Sequence, residues 1–155
     1  MIKKISQLFI LLIFISNCGF KVVNNEDFYN FNITNIQVSG DKKIGFTIKN
    51  NLTRYGNENK EKIELKINVE KIKSIKEKDI GNEITKYEIL IKAKIEFNLI
   101  SKDQNGTFTI TSKGNYSVQN QYSQTLIQER NLINNLSEKI LEEVQENLSN
   151  LVNDS

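Results

Sequence analysis

Two sets of side chains in this chain have types and spacing that could do chemistry. One is the lone cysteine, Cys18; the other is the lysine series Lys71, Lys73, Lys76 and Lys78. A thiolate is a soft nucleophile that can be alkylated. Lysine ammoniums are compact charges suited to phosphates and acidic groups. The 155 residues contain no histidine and no second cysteine, so zinc sites, Cys/His pairs, Ser/His/Asp triads and an internal disulfide are excluded within the chain. Glu138, Glu142 and Glu143 fall in a helical pattern whose charges face water, with Lys139 and Glu143 at the i,i+4 spacing of a surface pair. Acid–base work would need a cleft that this pattern does not imply. No catalytic residue, no metal and no cofactor other than covalent lipid is therefore expected.

Charge excludes a further class. The formal net charge is +2, and both surplus lysines are Lys3 and Lys4; without them 19 Lys and Arg face 19 Asp and Glu. A nucleic-acid partner calls for a dominant basic excess, so none is expected.

Lys3 and Lys4 precede an apolar run from Ile5 to Ile15, followed by the polar pair Ser16-Asn17 and then Cys18. This is the anatomy of a secretory signal, and the run is short of the roughly 20 residues a spanning helix needs. The ending "ISNC" resembles the lipobox of bacterial lipoproteins, with Asn17 where Gly, Ala or Ser is usual. Under that reading Cys18 becomes the first mature residue, carrying an S-diacylglycerol thioether and an N-acyl chain. Each buried methylene is worth about 0.8 kcal/mol and a single chain holds only reversibly, so several chains make a durable anchor. The other reading of the same residues is an ordinary secretory signal followed by a free thiol. In lipoproteins of diderm bacteria an Asp after the cysteine retains the protein at the inner membrane. Gly19 stands there, which implies outer-membrane sorting with the domain facing the periplasm.

The elements that must position these groups follow from periodicity. Residues 1–17 read as signal, 18–32 as a lipidated tether and 33–155 as one domain. Ile36 and Val38 mark a first strand. "SGDKKIGFTIKNNLTRYG" reads as a helix capped by Asp41, with Ile44, Ile48, Leu52 and Tyr55 on one face and Gly56 as its stop. Ile63, Leu65, Ile67 and Val69 alternate with polar residues as a half-buried strand. "KIKSIKEKDIGNE" reads as a charged connection turning at Gly81. The next alternation runs from Tyr87 to Leu99, and "SKDQNG" reads as a turn centred on Asn105-Gly106. A returning strand follows, with Phe97, Phe108 and Tyr116 read as core. A long helix closes the chain, its stripe Leu126, Ile133, Leu136, Ile140, Val144, Leu148 and Leu151 at helical spacing. The order β-α-β-β-β-α predicts an α+β fold, a two-layer sandwich of a four-stranded mixed sheet with both helices on one face. The first βαβ unit would cross over right-handed. The other face of the sheet is left polar, either solvated or packed inside something polar such as the lumen of an outer-membrane barrel.

These features together resemble the LptE family of lipopolysaccharide-assembly lipoproteins. "CGFKVVN" at residues 18–24 matches its start. The tyrosine-bearing strand "KYEILIKAKIEFNL" and the segment "YSVQNQYSQTLIQERNLINNLSEKILEEV" leading into a long last helix match its later order. The resemblance implies a non-enzymatic outer-membrane subunit that plugs and helps assemble the LptD β-barrel and contacts lipopolysaccharide on its way to the outer leaflet. It also implies lipopolysaccharide-binding basic residues near Lys71, Lys73, Lys76 and Lys78, and Arg130 as a second basic position. The interleaved Glu70, Glu77, Asp79 and Glu83 fit a solvated charged loop equally. A different envelope lipoprotein, acting as a structural or accessory binding module, is the alternative function.

Overall fold

The computed structural model describes residues 30–53 and 60–153. Cys18, Gly19, Tyr55, Gly56 and the expected signal and lipid attachment therefore lie outside the described residues. Element order is β1 (Phe31–Gly40), α1 (Lys42–Leu52), β2 (Glu61–Lys78), β3 (Ile84–Leu99), β4 (Gln104–Ser117) and α2 (Tyr122–Asn153). β1 begins two residues inside the expected tether, with Phe31 buried at its first position.

The strands form one open sheet in the order β1-β2-β3-β4. β1 and β2 run parallel, as a strand–helix–strand unit requires, and the remaining pairs are antiparallel. The fold is thus the expected α+β arrangement of a four-stranded mixed sheet with two helices. Period-2 alternation decides which face is covered. Ile63, Leu65, Ile67 and Val69 of β2 and Ile89, Ile91, Ala93, Ile95 and Leu99 of β3 are almost fully buried beneath the helices. Ile44, Ile48 and Leu52 come down from α1, and Leu136, Ile140, Val144 and Leu148 from α2. Each such Ile or Leu contributes roughly 1.5–3 kcal/mol of transfer free energy.

α1 starts where the pattern places it. The Asp41 carboxylate accepts the Ile44 amide at 3.1 Å, and the Asp41 amide donates to the Val69 carbonyl at 2.7 Å, tying the cap to β2. Gly45, an awkward residue for a helix, has a packing reason: a Cβ there would lie 2.3 Å from a Val38 methyl, so glycine lets α1 settle onto β1.

Three sequence expectations need correction. Residues 71–78 are strand, not connection: β2 continues through Lys78, paired with β3 as far as Ile84, and only 79–83 turn the chain. The apolar alternation ends before the strand does: the inward positions after Val69 hold Lys71 and Lys73 while Ile72 faces outward, and a bulge between Ile75 and Glu77 then shifts the register. The β3–β4 turn is at Ile100 to Asp103, with Asp103 at φ 49°, whereas Asn105 and Gly106 lie in β4 opposite Asn98 and Phe97. Gly106 serves close packing instead, since a Cβ would lie 2.7 Å from the Phe97 ring. Finally, Leu126 leaves the expected stripe and is exposed. The α2 residues turned to the sheet over this stretch are Thr125, Glu129, Leu132 and Leu136, and Leu126 sits about 100° round from Thr125.

Candidate functional site

Past Gly40 and Val69, where β1 pairing ends, β2, β3 and β4 continue as a three-stranded arm. Here the four lysines sit. Register puts Lys71 and Lys73 on the helix-covered side, opposite Ile91 and Ile89. Lys71 reaches the Asp41 carboxylate at 3.3 Å, and Lys73 reaches Glu129 of α2 at 2.7 Å. Lys76 pairs with Glu88 at 3.1 Å, and Lys78 donates to the Asn82 side chain in the turn at 2.9 Å. The four lysines therefore do not converge on one basic tip, and each already has an acceptor. Arg130 is exposed on α2 and makes no hydrogen bond or ion pair with the described residues.

Lys73 belongs to a cluster that alternation alone did not disclose. Its ammonium lies 4.4 Å from the centre of the Tyr87 ring and 5.3 Å from that of Tyr116, and the two rings stack at 5.6 Å. The Tyr116 hydroxyl donates to the same Glu129 oxygen at 2.8 Å. Burial alone would pull the Lys73 ammonium down. Hydrogen bonds to Glu129 and then Tyr116 outweigh it and hold the group above its ordinary value. Burial likewise pushes Glu129 up, but hydrogen bonds from Lys73 and Tyr116 hold its carboxyl below the usual range. Burial pushes the Tyr116 phenol up. Asp41 follows the Glu129 pattern: burial raises it, and the Ile44 amide and Lys71 bring it below the usual carboxylate value. The cluster is a structural clasp between β2, β4 and α2, with Glu129 as its hub. A glutamate in register with helix core positions was the sequence signal for it.

The uncovered face of the sheet has a different character at its four-stranded end. Register aligns Asn35, Glu64, Asn98 and Asn105 in one row across all four strands. The next row is Gln37, Lys66, Glu96 and Thr107. Together they line an open trough of about 540 Å³, within the size range of ligand pockets. On β1 the row is reached through a bulge: Thr34 drops out of register between Ile33 and Asn35, and its hydroxyl bonds the Ile63 carbonyl at 3.3 Å. Of the eight side chains only Glu96 makes a hydrogen bond to another described side chain, accepting from Lys94 at 2.9 Å. That bond, and then the charge of Lys66, hold the exposed Glu96 carboxyl below its ordinary value. Among the described residues no group of three or more acidic side chains converges in a way that would hold a metal ion. No helix among them is long and apolar enough to cross a membrane.

No protein-family model and no curated protein matches this chain. Solved structures do share its fold. Lipoprotein B of Nitrosomonas europaea superimposes with a TM-score of 0.60 at 11% identity, over 79% of this chain and 85% of that one. The rare lipoprotein B of Shewanella oneidensis superimposes with a TM-score of 0.52 at 14% identity, over 77% of this chain and 97% of that one. The described domain thus has a fold used by bacterial lipoproteins.

Proposed function

We propose that this chain is an LptE-like envelope lipoprotein, anchored through Cys18 to the outer membrane, which plugs an LptD-type β-barrel and helps it assemble. The observation that carries the proposal is the asymmetry of the sheet. One face is sealed by two helices, while the other presents polar side chains on four strands, with Glu64, Lys66, Asn68, Lys92, Lys94 and Thr109 exposed. Barrel lumens are hydrated and polar, so the polar rows of such a face suit them, with Ile72 as an exposed apolar side chain on the arm. A fold shared with bacterial lipoproteins supports the anchor, as does a lone cysteine behind an apolar run.

Lipopolysaccharide contact through Lys71, Lys73, Lys76 and Lys78 is part of this reading, with a specific requirement. Phosphates would have to displace Asp41, Glu129, Glu88 or Asn82 from these ammoniums. Lys76 and Lys78, whose partners belong to the arm itself, are the ones able to exchange without loosening the helices.

Photocrosslinking in cells tests the barrel. Photoreactive residues in place of Thr109 and Lys92 are expected to yield an adduct with an outer-membrane barrel, and depletion of the chain to lower surface lipopolysaccharide. Adducts with a non-barrel partner alone would favour an accessory lipoprotein. Mass spectrometry of the mature N-terminus tests the anchor: an unmodified Cys18 would remove it.

A further inference from the structure

We propose that the trough on the uncovered sheet face is a binding site for a short neutral saccharide. The inference starts from hydrogen-bonding capacity that the fold leaves unused. Asn35, Gln37, Asn98 and Asn105 each offer a carbonyl acceptor and an amide with two donors, and none is bonded to another described side chain. Thr107 adds a hydroxyl, and Glu64 an acceptor without a side-chain partner. Groups able both to give and to accept, held in two rows on a rigid sheet, match a ligand whose every substituent also does both. A ring of hydroxyls is that ligand.

Charge and shape narrow the class. The lining carries Glu64 and Glu96 against Lys66 alone, so its formal charge is −1. A phosphate or carboxylate would meet net repulsion, and the Lys66 ammonium already feels the Glu96 carboxylate across the strand pair. An apolar ligand would leave the amides unsatisfied. Neighbouring strands hold side chains about 4.8 Å apart, and alternate residues along one strand stand about 6.6 Å apart. The two rows thus present a grid at the spacing of substituents around and between sugar rings. All eight residues come from strands, which hold geometry better than loops do.

The saccharide could be the glycan of lipopolysaccharide, which rests on the translocon reading above, or a free neutral oligosaccharide, which does not. Titration calorimetry of the full-length lipidated protein in detergent separates them, with maltotetraose in one arm and the neutral hexose portion of the lipopolysaccharide core, free of phosphate, acyl chains and acidic sugars, in the other. Inorganic phosphate is the anionic control. Heat of binding is expected for at least one saccharide and none for phosphate; core alone would point to lipopolysaccharide, and maltotetraose to a free glycan. Asn98→Ala and Gln37→Ala are each expected to weaken binding about threefold to tenfold. Lys76→Gln with Lys78→Gln should leave it unchanged. Thr107→Val, which keeps the shape and the fold while deleting a donor, should weaken it about threefold. Absence of heat with both saccharides, or affinity unmoved by all three trough variants, would overturn the site. Barrel crosslinks without saccharide binding would sink this proposal alone; binding without barrel crosslinks would sink the translocon reading alone.

Discussion

The two ends of the sheet both carry polar side chains and use them in opposite ways. At the arm, Lys71, Lys73, Lys76 and Lys78 are densely charged, yet each is engaged by Asp41, Glu129, Glu88 or Asn82. At the trough, charge is sparse, but the amides and hydroxyl of both rows are left without side-chain partners. The difference teaches that a count of basic residues does not measure the capacity to bind. A ligand at the arm must outcompete partners already at hydrogen-bond distance, whereas one at the trough displaces only water.

The comparison holds only if both ends stand on one core. Leu65→Ala beneath the trough and Ile89→Ala beneath the arm each remove a fully buried side chain. Each is expected to lower unfolding free energy by about 2–5 kcal/mol in chemical denaturation. A single shared transition is expected; loss of the arm alone in Ile89→Ala would make the two ends separate units.

A smaller effect is expected from the clasp. Glu129→Gln removes the carboxylate charge that Lys73 and Tyr116 share, at a cost of about 1 kcal/mol, because the pair is partly exposed to water. A double-mutant cycle with Lys73→Met should return a coupling of the same order. Coupling near zero would mean the arm lysines are free for ligands after all.

The same groups set a pH dependence confined to the arm. Glu129 and Asp41 have folded values below their unfolded ones, so their contribution is present above the ordinary carboxylate range. It is lost as pH falls below about 4.5. Lys73 lies above its unfolded value, so its contribution is present below about pH 10.4 and is lost on further rise. Amide exchange at Ile89 should accelerate at both limits, and Glu129→Gln should flatten the acid limb.

The smallest effects separate the ends most sharply. Asn98→Ala should change stability by less than about 0.5 kcal/mol, since it gives up no side-chain bond in the fold. Lys76→Ala should cost no more than about 1 kcal/mol, as an exposed pair. A large loss in Asn98→Ala would show that the trough is a structural network and not a free site.

Particular residues show how far the sequence could be read. Ile63 to Val69 alternate without interruption and Tyr87 to Leu99 do so except at Leu90, and the strands, their inward faces and the one-sided cover follow from that pattern. Asp41 announced the start of α1 because a cap is a local interaction between a side chain and an amide three residues on. The arm was hidden because lysines, Lys71 and Lys73, take its inward positions and Ile72 an outward one, with a bulge at Ile75/Glu77 beyond them, so strand residues read as connection. Asn105-Gly106 is a good turn dipeptide, but the turn formed nearer β3, and Gly106 was needed under the Phe97 ring.

By itself, then, the sequence determined the class of fold, the polar and apolar faces of each strand, and the lone cysteine behind an apolar run. Those properties are periodic or local, and a single chain segment carries them. Only the tertiary structure decided which lysines are engaged and which amides are not. Glu129 is 56 residues from Lys73, and the trough rows draw on four strands between Asn35 and Thr107. Such pairings depend on register, and a shift of one residue would carry every one of these side chains to the opposite face of the sheet.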